Sequence, residues 1–438
     1  MSRNIIAGLD LGTTKVCAVI AEIENNKVNI LGFGVSQSEG LTKGLVANIN
    51  KTAAAIKIAM DIAVNRAGVE VKELYVGVAG EHIKSLRYRN YVTISNSEHE
   101  ITEEDIERLK ADIKTVSVPA DRKILHIIPE EYIIDGQGGF EDPIGITGTK
   151  LEAVSHVVLA SVAALNNIKK SVERAGYFVK DYMLQPIASS LSVLEENEKD
   201  LGVCLIDIGG GTTDIAVYHN KSIRDTSVIG IAGNQVTNDI RETLGLVSSD
   251  AERLKIDHGY ALEEAIIKEE DIYIRSVGGR GNVKIPITLL TQIINARMKE
   301  LFQIIDKELR DKKLKSHLLA GVVITGGGAL LKGCDELAQS VFGFPARIGV
   351  PLDLGIGLSH EIEKPEFATV AGLIKPIPGV SNVTATFANY EDKSINNIEL
   401  PTVSKKEKLT EKKDKVKKEL PKTVQNVYDK IKKFINEL

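Results

Sequence analysis

Two stretches of this chain set an aspartate beside glycines and threonines in a way that suits phosphate chemistry: Gly8-Leu9-Asp10-Leu11-Gly12-Thr13-Thr14-Lys15 and Asp207-Ile208-Gly209-Gly210-Gly211-Thr212-Thr213-Asp214. Glycine lets the backbone come close to a ligand, so N–H groups can point at phosphate oxygens. The hydroxyls of Thr13, Thr14, Thr212 and Thr213 and the ammonium of Lys15 add donors. Asp10 and Asp207, each at the end of an apolar run, are placed to hold Mg²⁺ directly or through water, because Mg²⁺ prefers oxygen ligands and keeps several waters beside phosphates. One such turn alone would be explained equally well as a tight hairpin with no ligand. Two copies suggest a duplicated fold closing on one nucleotide.

The elements that must position these residues are legible around them. Ile5 to Leu11 and Val203 to Ile208 are apolar runs of strand length, and each turn leads into a second run, Val16 to Ile20 and Ile215 to Tyr218. Each unit therefore reads as a β-hairpin. A third apolar strand, Gly321 to Thr325, enters the turn Gly326-Gly327-Gly328, with a helix start expected from Leu330. Three glycines there allow a flat adenine to lie on bare backbone. Neither a P-loop pattern nor a strand–GxGxxG–helix unit occurs, which disfavours the Walker and Rossmann modes.

Together with the segments Gln185-Pro186-Ile187-Ala188-Ser189-Ser190 and Ala368-Thr369-Val370-Ala371-Gly372-Leu373, these turns resemble the actin-like ATPase superfamily. That resemblance implies an α/β, two-domain actin-like fold with duplicated ribonuclease-H-like halves, binding ATP with Mg²⁺. The superfamily holds chaperones, sugar kinases and filament proteins, so it does not choose a function. Two finer blocks narrow it: Val76-Gly77-Val78-Ala79-Gly80-Glu81-His82-Ile83, and His126-Ile127-Ile128-Pro129-Glu130-Glu131-Tyr132-Ile133-Ile134-Asp135-Gly136-Gln137 continuing to Leu151-Glu152-Ala153. These closely resemble the bacterial cell-division FtsA family, and the similarity runs from Ile5 to about Pro378.

What the resemblance implies is specific. Residues 1–83, with 164–200 and part of 360–379, would form the first core (IA), and 84–163 a small α+β subdomain (IC) used for self-assembly and contacts with other division proteins. Residues 201–240 and 315–360 would form the second core (IIA), and 241–314 subdomain IIB, which in the family receives the C-terminal peptide of the tubulin-like protein FtsZ. Arg297, on an amphipathic helix from Thr288 to Leu309, is the expected contact, since guanidinium pairs bidentately with carboxylate; an exposed arginine without a partner fits the sequence equally well. Glu252 and Lys255 are expected beside the nucleoside, against the plainer alternative of a solvated helical charge pair. Gln185 stands where the superfamily has a residue near the attacking water. Glutamine cannot be a general base at neutral pH but can orient water. If Asp10 or Asp207 is the base instead, Gln185 is structural.

Composition sets the broader bounds. The chain has 438 residues, ample for two or more packed domains, and no long uncharged apolar run that would span a membrane. Met1-Ser2-Arg3-Asn4 runs straight into a strand with no secretory apolar region, pointing to the cytoplasm. Cys17, Cys204 and Cys334 are widely spaced and form no CxxC, so packed, reduced thiols are expected. With a net charge of −5 and no basic stripe interleaved with aromatics, nucleic acid is not an expected partner.

The C-terminus changes character. Residues 380–421 carry few apolar clusters and a Lys/Glu run, as in a flexible solvated linker. In 422–438, Val424, Val427, Tyr428, Ile431, Phe434, Ile435 and Leu438 recur at helical spacing over a face of roughly 120°, with Lys430, Lys432 and Lys433 on the other side. From Val380 onward there are thirteen lysines against nine acids, so the tail is basic and the body acidic. A helix too short and too charged to span a bilayer fits insertion in the plane of an anionic membrane surface; docking on a protein partner is the alternative. The expectation is an ATP-binding adaptor that self-assembles and tethers FtsZ filaments to the cytoplasmic face of the bacterial membrane at the division septum, with slow hydrolysis. A sugar-type kinase would share the hairpins and a pilus-assembly adaptor the fold. Neither accounts for the amphipathic terminus.

Overall fold

Val203–Ile208 is apolar at every position but Asp207 and buried along its whole length, the pattern of a strand covered on both faces. It is the middle of a five-stranded sheet, and its counterpart Ile5–Leu11 lies inside a six-stranded one. The computed structural model of the chain describes residues 4–375 apart from 26, 97, 115–117, 269–270 and 276–281. The linker and terminal helix expected at 380–421 and 422–438 lie outside the described residues.

The two sheets repeat one topology. In each, three antiparallel strands come first: Ile5–Leu11, Lys15–Glu24 and Lys27–Gln37 in one, Val203–Ile208, Thr213–His219 and Ser222–Ile229 in the other. Two parallel strands then extend the first strand of each set: Glu73–Val78 and Phe178–Leu184, or Gly321–Thr325 and Ala346–Ile348. This is the duplication that the paired motifs implied, and it brings the glycine turns to the same ends of the two sheets.

Helices pack on these sheets where the sequence supplies an apolar face. Ile49–Ala67 begins where the Asn48 side chain accepts from the Lys51 N–H at 3.0 Å, and it stops at Gly68 in the left-handed region. Strand Lys150–Ser161 ends at Ser161, whose side chain caps the helix Val162–Arg174. Ile287–Asp311 buries Leu290, Ile294, Met298, Leu301, Phe302, Ile305 and Leu309, spacings of three and four along one face. Cys17, Cys204 and Cys334 are buried and unpaired, and burial pushes each thiol up.

A third, four-stranded antiparallel sheet, ordered Lys84–Thr93, Lys150–Ser161, Arg122–Ile134, Gln137–Phe140, stands apart from the repeat. Helix Glu103–Lys114 covers a cluster around Ile94, Ile101, Leu109, Tyr132 and Leu151, and Asp105 accepts from the Thr102 N–H and hydroxyl at 2.9 and 2.8 Å. Histidines tie this module to both larger sheets. The Leu184 N–H donates to His126 Nε2 at 3.0 Å, and His156 Nε2 meets the Thr226 hydroxyl at 2.9 Å.

Burial holds both imidazoles neutral, with His156 adding to the effect on His126 and Lys312 to that on His156, so each titrates down at about 4. The unfolded chain takes up these protons near pH ~6.5, so their contribution is fully present above that value and is lost as pH falls toward ~4. Denaturant titration at about pH 7.5 and about pH 5 should show a loss on the order of 2 kcal/mol per histidine, and His126→Gln should shrink it. An acid slope that His126→Gln leaves unchanged would contradict this assignment.

Candidate functional site

The Gly12–Thr14 and Gly209–Thr212 turns face each other. Each is closed by a backbone hydrogen bond of 3.0 Å, Gly12 N–H to Lys15 C=O and Gly209 N–H to Thr212 C=O. A Cβ at Gly210 would fall inside the van der Waals envelope of the Thr14 hydroxyl, and one at Gly211 would lie 2.6 Å from the Thr13 hydroxyl. Only bare backbone permits this approach. Helix Gly233–Leu244 starts directly behind, its Gly233 and Asn234 N–H groups held by the Gly209 and Gly210 carbonyls at 3.0 and 2.8 Å.

Between the hairpins and the third turn lies a cavity of about 330 Å³. It is lined by Asp10, Gly12, Thr13, Thr14, Lys15, Gln185, Asp207, Gly209, Gly210, Gly211, Thr212, Glu252, Lys255, Gly326, Gly327 and Gly328, so nearly every residue singled out for this site in the sequence meets here. Thr213 does not. The strand begins at that residue, and its hydroxyl turns inward to donate to Ile231 C=O at 2.7 Å. The glycine turn continues as a 3₁₀ turn over Gly327–Leu330, and the α-helix expected from Leu330 starts only at Cys334, after Gly333 in the left-handed region. Gly326 has φ of 82°, with Ile208 C=O 2.6 Å from where its Cβ would stand.

Carboxylates dominate the floor. Asp10 accepts from Gln185 Nε2 at 2.8 Å, and Asp207 Oδ2 accepts from the Ser189 hydroxyl at 2.6 Å and the Thr369 hydroxyl at 3.2 Å. Because a carboxylate oxygen only accepts, the Gln185 nitrogen faces Asp10 and its carbonyl oxygen stays an acceptor. Burial, then the charge of Asp207, raises Asp10 to about 7 against the opposing pull of Lys15. Burial also raises Asp207, against its two hydroxyl donors and Lys15. Asp214 is held well above the carboxylate range by burial and by Asp207 and Asp10, and its Oδ1 has no partner.

An orphaned buried carboxyl oxygen, with two further carboxyl groups whose charged forms burial disfavours, is a set of oxygens that a cation relieves. Among the described residues no three acidic, imidazole or thiol groups converge as a metal cluster. The carboxylate oxygens of Asp10 and Asp207 would suit Mg²⁺, which takes few protein ligands and completes its shell with phosphate and water. The cavity residues fit the group.

Beyond the Glu252–Lys255 pair, the site's other partners were not legible in the sequence. Lys15 pairs with Glu366 at 2.9 Å. Lys255 donates to Glu252 at 2.8 Å, to the Thr237 hydroxyl at 2.9 Å and to Gly233 C=O at 3.0 Å, while the Thr237 hydroxyl also donates to Glu252. Ile256, Met298, Leu330 and Leu331 supply apolar surface to the same cavity. Asp214 was part of the second motif as read and carried its own signal. Arg297 lies elsewhere, on the long helix, with its guanidinium fork on Asp239 at 2.6 and 3.0 Å and Glu300 beside it.

The repeated sheets, the facing hairpins and the third glycine turn define an actin-like protein. In fold the chain is similar to the PilM–PilN type IV pilus biogenesis complex, with a TM-score of 0.60 at 16% identity over 84% of this chain and 97% of that one. MreB5 of Spiroplasma citri bound to ADP gives 0.51 at 17% identity over 84% and 94%. Sequence goes further. Cell division protein FtsA of Pseudomonas aeruginosa is 41% identical over 374 residues, 85% of this chain and 89% of that protein, and FtsA of Escherichia coli K12 is 39% identical over 380, 85% and 90%. A family model for cell division protein FtsA matches residues 204–372, and one for the SHS2 domain inserted in FtsA matches residues 80–159. The chain belongs to the FtsA family of cell division proteins.

Proposed function

We propose that this chain binds ATP with Mg²⁺ between its two sheets, self-assembles, and tethers FtsZ filaments to the cytoplasmic face of the bacterial membrane at the division septum. The observation that carries the nucleotide reading is the meeting of both glycine hairpins with the Gly326–Gly328 turn around one cavity floored by buried aspartates. Backbone N–H groups of Gly12 and Gly209–Gly211, the threonine hydroxyls and Lys15 would bind phosphates. Asp10 and Asp207 would hold the metal, directly or through water, and Gly326–Gly328 with Glu252 and Lys255 would bind the nucleoside. Bound Mg²⁺·ATP supplies charge neutralisation and a hydrolysable anhydride. Gln185, its nitrogen fixed on Asp10, would offer its carbonyl oxygen to orient a water, which suits slow turnover. Asp10 or Asp207 is the alternative base, and Asp207 Oδ2 already takes two hydroxyl donors.

The domain scheme follows. Residues 1–83, with 164–200 and part of 360–379, form IA; 84–163 form IC, for self-assembly and for other division proteins; 201–240 and 315–360 form IIA; and 241–314 form IIB. FtsZ's C-terminal peptide would dock on IIB at Arg297, where an acidic group on the peptide competes with Asp239 for the guanidinium. The basic segment 422–438 would bind anionic lipid through the apolar side chains from Val424 to Leu438, with 380–421 as its tether. No described helix is long and apolar enough to cross a membrane. Calorimetric titration with ATP and Mg²⁺ tests the core of this proposal. Saturable one-site binding is expected; no binding would remove the nucleotide role.

A further inference from the structure

The cavity is poorly charged for a polyphosphate. Five carboxyl groups line it, Asp10, Asp207, Asp214, Glu252 and Glu366, with burial disfavouring the charged form of the three aspartates, against two ammonium groups, Lys15 and Lys255. Each ammonium already has a carboxylate from the same cavity: Lys15 with Glu366 at 2.9 Å, Lys255 with Glu252 at 2.8 Å. Lys15 is the one that flanks the first phosphate-type hairpin, and it lies 4.2 Å from the centre of the Phe367 ring. Its position is thus fixed by two consecutive residues, one charged and one aromatic.

Those residues sit on the short 3₁₀ turn Pro365–Phe367, which touches both halves. Pro365 C=O accepts from the Gly326 N–H and the Thr325 hydroxyl, each at 3.1 Å, while Phe367 packs edge-on against Phe33 at 5.9 Å. The Lys15 and Glu366 side chains remain 25% and 31% exposed, so a ligand entering the cavity reaches the pair. A polyanion arriving alone must take Lys15 from Glu366 and leave that carboxylate facing phosphate oxygens. A polyanion carrying a divalent cation brings the missing positive charge with it.

We propose that Glu366 is a selectivity residue: by occupying Lys15 it keeps the cavity from accepting a nucleoside polyphosphate that lacks a divalent cation. This rests on the nucleotide reading above and adds to it a reason for cation dependence that lies outside the metal-holding aspartates. Glu366→Gln keeps an oxygen that accepts from Lys15 and removes only the charge. Lys15→Gln does the reverse, leaving the Glu366 charge unanswered.

The experiment is titration of the full chain with ATP, once with Mg²⁺ in excess and once with a chelator in excess, reading the dissociation constant in chelator divided by that in Mg²⁺. Glu366→Gln should lower that ratio about tenfold, chiefly by tightening the binding of metal-free ATP, as expected for removing one like charge near the phosphates. Lys15→Gln should raise the ratio. A ratio unchanged in Glu366→Gln, or both constants moving by the same factor, would overturn the selectivity role and leave the nucleotide reading intact. If the parent chain bound ATP under neither condition, the nucleotide reading would fall and this inference with it. Thermal melting without ligand establishes that each variant is folded, and should Glu366→Gln fail to fold, the direction of the Lys15→Gln shift decides the question.

Discussion

Alanine at Gly210 should weaken binding of Mg²⁺·ATP at least ~100-fold, about 3 kcal/mol. The added Cβ would overlap the Thr14 hydroxyl and stand 3.0 Å from Thr14 Cβ. Rotating the hydroxyl away leaves the Cβ contact, so the two hairpins must move apart, and donors from both are needed on one ligand. Effects of misplaced groups are steep because hydrogen bonds weaken sharply with distance and angle. Fold stability should suffer less, since the residues lie in a turn at a cavity edge and not in the core. Titration calorimetry paired with a melting curve separates the two. Affinity within a few-fold of the parent would mean that the hairpins do not grip one ligand together.

The second large effect concerns the other end of the chain. Replacing Lys430, Lys432 and Lys433 together by glutamate should reduce partitioning to anionic vesicles at least ~100-fold, as three lysines near a charged surface contribute about 1 kcal/mol each and glutamates add repulsion. Binding of the parent should also weaken with salt, because the Debye length shortens. Neutral vesicles should bind both chains poorly. If charge reversal left partitioning unchanged, the segment would be docking through its apolar side chains on protein instead. Several copies held in one polymer should bind far more tightly than one, so the contrast is sharpest in dilute, unassembled protein.

Much of the fold was legible because its signals are local. An apolar run, a glycine turn and a second run occupy about fifteen residues, and the duplication showed itself as two such blocks. Helix starts depend on finer detail, a single side chain such as Asn48 or Ser161 taking an N–H. The hidden part of the site is its long-range wiring. Lys15 and Glu366 are 351 positions apart, Asp10 and Gln185 are 175 apart, and Asp207 and Thr369 are 162 apart. Nothing in local pattern encodes such pairs, which depend on how elements distant in the chain pack together. Arg297 illustrates the same limit. Its place on a helix followed from periodicity, but the carboxylate that takes its fork, Asp239, comes from an earlier helix. Thr213 stands apart from the other motif residues for a smaller reason: the strand begins there, and its buried hydroxyl donates to Ile231 C=O.

The adaptor role is tested most directly by vesicle flotation with three components: anionic liposomes, FtsZ and this chain with ATP and Mg²⁺. FtsZ should float only when the full chain is present. It should stay in the soluble fraction with a chain ending at Pro421, and float less with Arg297→Glu. If FtsZ failed to float with the full chain, or floated equally with the chain ending at Pro421, this protein would not be the tether proposed here.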